Sequence, residues 1–210
     1  MTTARGALLD AAGAALARRP WSAVRMADVA AAARVSRQTL YNEFGSKDGV
    51  ARALVHREID GYLAGVDPAL ARPGTPADRL AALAEWLVTA ARGNALVRSA
   101  LTGTWGAWLP AEAFAALPAA GPPPPPLPSP QELLHRVRDR AAAALAPPGA
   151  PDGRAEVARS AEVALRLALS CLLAPPPRGA TAELVRAALD PELSARIPTV
   201  GARSPRRSPG

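Results

Sequence analysis

Apolar residues recur along most of the chain at intervals of three and four positions, which places their side chains on one face of an α-helix. Leu80, Leu83, Ala84 and Leu87 form one such stripe. Sustained apolar–polar alternation, the pattern of β-strands, is absent. We therefore predict an all-α protein with a helix opening at Thr75 or Pro76 and others over residues 3–19, 26–33, 37–43, 46–64, 94–109, 131–146, 154–174 and 181–189.

Proline and glycine separate these helices and divide the chain. Residues 118–130 hold eight prolines. This excludes helix and central strand, so we expect an extended or disordered loop that acts as a spacer rather than as a docking site for a proline-binding partner. We predict a first domain over residues 1–47, a second over residues 48–196, and a disordered basic tail over residues 197–210.

Two short predicted helices in residues 28–44 are joined by a tight turn. Val29 and Ala30 are expected to point inward from the first helix, and Val35 to fill the turn. Leu40 and Phe44, four residues apart, share one face of the second helix. The small core that they form between two crossing helices is typical of a helix-turn-helix.

The opposite face of the second helix carries long, polar or planar side chains: Arg37, Gln38, Thr39, Tyr41 and Asn42. Ser36 is well placed as the N-cap of this helix. In a major groove, Arg37 could bind guanine and Gln38 adenine through bidentate hydrogen bonds. Each residue alone would also suit a solvated helix surface, but their combination at this spacing favours DNA binding.

The charge distribution adds weak support for a polyanionic partner. Of the net charge of +7, residues 1–60 contribute nine basic and six acidic side chains, and the last fifteen residues contribute four arginines and no acid. Residues 61–195 are balanced, with twelve side chains of each sign. Basic termini suit DNA or an acidic lipid surface, although a solubilising excess of charge would look the same.

The segment RMADVAAAARVSRQTLYNEFGSKDGVARAL over residues 25–54 resembles the N-terminal domain of TetR-type (TetR/AcrR) transcriptional regulators. The matching residues are Val29-Ala30, Ala33, Val35-Ser36, Leu40-Tyr41, Phe44 and Ser46-Lys47-Asp48. The resemblance covers about a quarter of the chain, and the remainder is similar only in length and helical character.

This resemblance implies a three-helix DNA-binding domain followed by a larger helical domain that binds a ligand and dimerises. It implies double-stranded operator DNA as a partner, a homodimer formed by the last two long helices, and release when a small-molecule effector binds. It also places Tyr41 and Lys47 at phosphates and Arg37, Gln38, Thr39 and Asn42 on the recognition helix. No cofactor is implied.

Two positions depart from the family pattern. Arg25 stands where the family often has a Thr that caps the second helix and touches phosphate, and an arginine can reach a phosphate but cannot cap in that way. Arg34 stands where the family usually has a Gly in the turn. If that position needs a positive φ, Arg34 costs on the order of 1 kcal/mol and adds a basic group beside the DNA.

The second domain offers a candidate ligand site and a candidate dimer interface. Aromatic and polar side chains that could line an apolar cavity are Tyr62, Trp86, Asn94, Arg98, Trp105, Trp108, Phe114 and His135. Apolar residues that could pack against a second copy are Val157, Ala161, Leu165, Ala168, Leu169, Leu172 and Leu184. A buried core position is the competing interpretation for every one of them.

Other classes of protein have less support. Cys171 is the only cysteine, and residues 1–6 lack a secretory pattern, so we expect a cytoplasmic protein. No apolar run is long enough for a membrane helix. We find no metal cluster and no catalytic constellation, which argues against an all-helical enzyme. A helical binding module that acts through its cavity or its proline-rich loop stays open as the alternative to a DNA-binding repressor.

Overall fold

A computed structural model describes residues 3–106, 126–147 and 151–190, with the Pro151 side chain left out. Within these ranges the structure is helical and contains no strand, which confirms the all-α prediction. Ten α-helices lie there: α1 Ala4–Leu16, α2 Met26–Ala32, α3 Arg37–Phe44, α4 Lys47–Ala64, α5 Val66–Leu70, α6 Pro76–Gly93, α7 Ala95–Thr102, α8 Pro130–Leu145, α9 Pro151–Leu173 and α10 Ala180–Leu189.

The first three helices pack into a small N-terminal bundle. Its centre is formed by Leu8, Val29, Ala30 and Leu40, each at most 1% exposed. The bundle is held against α4, because α1 and α3 both contact that helix. The buried positions agree with those predicted from the helical spacing of residues 28–44.

The larger C-terminal part is built around α6 and α9. Helix α6 packs against α5, α9 and α10, and α8 packs against α9. Thr75 and Asp78 form a reciprocal capping box at the start of α6, with Pro76 as its first residue, so the predicted opening is confirmed. Ser129 and Glu132 cap α8 in the same way.

Several boundaries differ from the prediction because local chemistry stops or permits a helix. A helix over residues 94–109 was expected, but α7 ends at Thr102 and Gly103 adopts a left-handed conformation with φ 69°. Helix α5 is absent from the prediction, because Pro68 suggests a break in the chain. Pro68 lies in the first turn of α5, where a proline removes no hydrogen bond that the helix needs. Helix α9 begins three residues before the predicted start at position 154.

A hydrogen-bonded network joins the N-terminal bundle to the larger part. Arg57 of α4 contacts Asp10 of α1, with 2.7 Å between Nη1 and Oδ1, and also donates to the carbonyl oxygen of Leu9. Its Nη2 lies 3.2 Å from Oε1 of Glu58, whose Oε2 accepts from the Asn94 amide at 2.7 Å. Polar side chains thus connect α1, through α4, to the junction between α6 and α7.

Candidate nucleic-acid interface

Helix α3 has one buried and one exposed face. Leu40 is fully buried and Phe44 half-buried on the inner face, where α3 packs against α2. Arg37, Gln38 and Asn42 are exposed on the outer face. An eight-residue helix that is anchored by one leucine therefore presents a polar surface of the size that enters a major groove.

Side-chain hydrogen bonds order the outer face of α3. Ser36 is the N-cap, and its hydroxyl accepts from the Thr39 N–H at 3.0 Å and lies 2.8 Å from the Thr39 hydroxyl. Gln38 Nε2 donates to Asn42 Oδ1 at 2.8 Å. The Gln38 amide keeps one N–H and its carbonyl oxygen, the pair that a bidentate contact to adenine requires.

Several arginines around α2 and α3 are not paired with an acid in the described part of the chain. Within the described residues, Arg25, Arg34 and Arg37 are exposed and form no ion pair. Arg18, which follows the end of α1, is also exposed and forms no ion pair there. By contrast, Arg5 lies 3.7 Å from Glu43, and the guanidinium of Arg19 lies 3.3 Å from Asp28. The unpaired arginines leave both ends of α2 and the start of α3 positive.

Lys47 and Tyr41, the two expected phosphate donors, differ in their surroundings. Lys47 Nζ donates to the carbonyl oxygen of Ser22 at 3.2 Å and lies 5.6 Å from the centre of the Trp21 ring. Partial burial lowers the pKa of Lys47, against the opposing effect of Asp48. The lysine therefore ties the start of α4 to the loop before α2 and keeps two N–H groups, whereas Tyr41 is 37% exposed on α3.

The turn between α2 and α3 is a Schellman motif with an arginine at its left-handed position. The Arg34 N–H donates to the carbonyl oxygen of Ala31, and the Val35 N–H donates to that of Ala30, each at 3.0 Å. Arg34 has φ 57° and is the only non-glycine residue with a positive φ in the described part of the chain. The expected strain is thus present, on the order of 1 kcal/mol relative to glycine.

Helix α2 begins without a side-chain cap. Arg25 occupies the N-cap position in an extended conformation, and its side chain accepts no hydrogen bond from the helix. We predict that Arg25→Ser raises the free energy of unfolding by about 0.5–1 kcal/mol, because a serine hydroxyl can accept from a first-turn N–H. Urea unfolding followed by circular dichroism would measure this, and an unchanged midpoint would contradict it.

The predicted ligand-contacting residues do not lie around one cavity. Tyr62 and Trp86 stack with ring centres 5.4 Å apart, and burial raises the pKa of the Tyr62 phenol far above its ordinary value, so this phenol stays neutral. Of the predicted set, Tyr62 alone lines a small apolar cavity of about 10 Å³ within the larger part. Leucine, valine and alanine complete the lining: Leu87, Val88, Leu101, Leu134, Val137, Leu165, Ala168, Leu169 and Leu172.

The predicted polar ligand contacts lie elsewhere. The side-chain Oδ1 of Asn94 accepts from the N–H groups of Leu96 and Val97, and so caps α7. The side-chain Nδ2 of Asn94 donates to Glu58. Arg98 is exposed, and His135 and Trp105 are half-buried outside the cavity lining. Trp108 and Phe114 lie outside the described residues, as do most of the proline-rich loop and the whole basic tail.

Most of the residues predicted for the dimer interface pack within this chain, and their role towards a second copy stays a prediction. Ala161, Leu165, Ala168 and Leu172 are at most 8% exposed and belong to the chain's own core. Val157 and Leu169 are half-buried against the same core. Leu184 is the one member of the set on the surface, at 47% exposed. On α9, the large apolar side chains that are exposed are Val163 at 43% and Leu173 at 72%, neither of which was predicted.

Membrane-spanning helices and clustered metal ligands are both absent from the described residues. None of the helices in those three ranges has the length and apolar character needed to cross a membrane. The same ranges contain no group of three or more His, Cys, Asp or Glu side chains placed to hold a metal ion.

The chain is similar to known proteins at two levels. The profile of bacterial regulatory proteins of the tetR family matches residues 8–54. The HTH-type transcriptional regulator AlkX of Mycobacterium tuberculosis is 46% identical over 67 residues, which are 30% of this chain and 32% of that protein. The match to this relative therefore spans about a third of its length.

Solved structures share the fold over most of the chain. The TetR family repressor AlkX from Dietzia sp. strain DQ12-45-1b, implicated in biodegradation of n-alkanes, is 24% identical with a TM-score of 0.50, covering 91% of this chain and 95% of that one. A putative tetR family regulator from Shewanella sp. PV-4 is 15% identical with a TM-score of 0.54, covering 89% and 97%. A regulator from Streptomyces coelicolor is 22% identical with a TM-score of 0.52, covering 91% and 85%.

Proposed function

Because the chain belongs to the TetR family of bacterial transcriptional regulators, we propose that it is a homodimeric repressor that a small molecule releases from its operator. The observation that carries the proposal is the exposed polar face of α3, held in place by the buried Leu40. In this proposal Arg37, Gln38, Thr39 and Asn42 face the bases.

Phosphates on either side of the groove are contacted by other groups in this proposal. Ser36 and Tyr41 lie on or beside α3, Lys47 lies at the start of α4, and Arg25 lies at the start of α2. The unpaired charge of Arg25 and the two remaining N–H groups of Lys47 support this assignment. Contacts to phosphate set register and affinity, whereas contacts to base edges set sequence preference.

The proposed homodimer uses the outer surface of α9 and α10. Val163, Leu173 and Leu184 give this surface its exposed apolar area. Helix α10 is fixed to α6, because the Glu85 carboxylate accepts from the N–H groups of Gly179 and Ala182 at 3.3 and 3.2 Å. A rigid two-fold pairing would place two copies of α3 on a palindromic operator, with half-sites about 34 Å or a multiple apart.

The proposed effector is apolar and uncharged. The cavity between α4, α6, α7, α8 and α9 exposes only apolar surface, and its volume of about 10 Å³ admits no more than a water molecule. Entry of an effector would therefore require these helices to separate. Helix α4 also contacts the N-terminal bundle through Arg57. A displacement of α4 would therefore shift the bundle that carries the DNA-binding surface.

Selection of binding sites from randomised duplex DNA tests the proposal. We expect a palindromic sequence bound by two chains, and loss of binding when an apolar effector from a panel that includes n-alkanes is added. Failure to enrich any sequence would overturn DNA recognition and favour the helical binding module. Two chains of 21.6 kDa per duplex would be seen by light scattering.

Substitutions should separate base contacts from phosphate contacts. We predict that Gln38→Ala changes preference at particular base pairs of the selected operator. Lys47→Ala is expected to weaken binding to all sequences and to lower the slope of log K against log salt by about 0.9 per DNA-binding domain. Equal salt slopes for Lys47→Ala and for the distant charge control Arg72→Ala would contradict the phosphate role.

Lys47 also binds the loop before α2 through Ser22 and Trp21. Urea unfolding of Lys47→Ala is therefore measured beside the binding assay. A lower stability with an unchanged salt slope would assign Lys47 to the structure of the bundle alone.

A further inference from the structure

The side chain of Arg34 starts from a turn whose backbone is fixed. Two hydrogen bonds close the turn, from the N–H groups of Arg34 and Val35 to the end of α2. Two residues later Ser36 caps α3. The Cα of Arg34 is therefore held at a constant place beside the start of the recognition helix.

An arginine has no local reason to occupy this position. Glycine is favoured at the left-handed residue of a Schellman motif because it lacks a Cβ, and asparagine is the usual second choice. A positive charge near the end of α2 interacts favourably with the helix dipole, but a lysine or arginine one turn earlier would do so without strain.

Arg34 is not neutralised by any acid in the part of the chain that the structure describes. It forms no ion pair there, and its side chain is exposed. Two acids of the N-terminal bundle are already paired with other arginines, Asp28 with Arg19 and Glu43 with Arg5. The guanidinium therefore remains available to an anion outside the chain.

We propose that Arg34 binds a DNA backbone phosphate next to the half-site contacted by α3, a contact that is additional to those of Ser36, Tyr41 and Lys47. This inference rests on the proposed function. Phosphate is the expected target because the side chain leaves from the turn before α3 and not from the face of α3 that meets the bases. A planar guanidinium can bind two phosphate oxygens at once.

The inference requires that the arginine lowers stability while raising affinity. We expect Arg34→Gly in the full chain to raise the unfolding midpoint and to weaken operator binding roughly five- to ten-fold near 0.1 M salt. The salt slope should fall by about 0.9 per DNA-binding domain. Arg34→Lys should keep the salt slope of the unsubstituted chain. Arg34→Asn should keep the turn but show the same reduced slope as Arg34→Gly, because asparagine carries no charge.

The control is Arg72→Ala, which removes the same charge from an exposed position in the loop before α6. It should leave both affinity and salt slope close to those of the unsubstituted chain. If Arg34→Gly binds with the same slope as the unsubstituted chain, the proposed contact is absent and the arginine is only a tolerated turn residue. If the unsubstituted chain selects no operator, the proposed function fails instead, which keeps the two failures distinguishable.

Discussion

Replacing Leu40 by Ala is expected to lower the free energy of unfolding by about 2–5 kcal/mol and to abolish operator binding. Leu40 is the fully buried side chain by which α3 is anchored to α2 and the rest of the N-terminal bundle. Removal of its branched end would leave a cavity that the short helix has few other apolar contacts to close. Both losses would appear in parallel urea unfolding and mobility-shift experiments.

The matched control is Leu40→Met, which keeps most of the volume and should cost less than about 1.5 kcal/mol. Operator binding by this variant should persist at the same temperature. If Leu40→Ala bound its operator as well as the unsubstituted chain does, the outer face of α3 would not depend on this anchor, and the docking proposed for α3 would be wrong.

Replacing Gly65 by Ala and replacing Gly61 by Ala are expected to change the free energy of unfolding in opposite directions. A Cβ on Gly65 would clash with Cζ2 of Trp86 and lie 2.6 Å from its Cη2, so the indole that stacks on Tyr62 would have to shift. We predict that Gly65→Ala lowers the free energy of unfolding by about 1–3 kcal/mol. Gly61→Ala should raise it by about 0.5–1 kcal/mol, because nothing lies within 4 Å and alanine is less costly in a helix interior.

Thermal unfolding of the two alanine variants measures this difference directly. Loss of the Tyr62–Trp86 stack in Gly65→Ala should also change the near-ultraviolet circular dichroism, whereas Gly61→Ala should leave that spectrum unchanged. A stabilised Gly65→Ala variant would mean that Trp86 repacks without loss and would contradict the predicted clash.

Local chemistry made much of the N-terminal bundle predictable. Serine before a helix, as at Ser36 and Ser46, specifies a cap that depends only on the next three residues. A cap of this kind needs no knowledge of distant parts of the chain, so it could be predicted before the fold was known. The positive φ of Arg34 was only a conditional expectation, taken from the glycine that TetR-type regulators usually have at this position.

The larger part depended on packing that a single sequence does not specify. The broad apolar face of α9 is equally suitable for a partner and for the chain's own core, and Leu165 and Ala168 lie in that core beside the apolar cavity. Asn94 was a plausible ligand contact, but its oxygen caps α7 and its amide binds Glu58. Distinguishing these roles requires the relative placement of helices far apart in sequence.

The composition of the cavity wall determines which effector molecules the proposed regulator could discriminate. Because the surface that faces the cavity is apolar, compounds bound there in the proposed mechanism would be distinguished mainly by size and shape. Each added methylene is worth about 0.8 kcal/mol, or roughly a four-fold change in affinity. The response would therefore change gradually along a homologous series, and the cell would sense a class of compounds rather than a single metabolite.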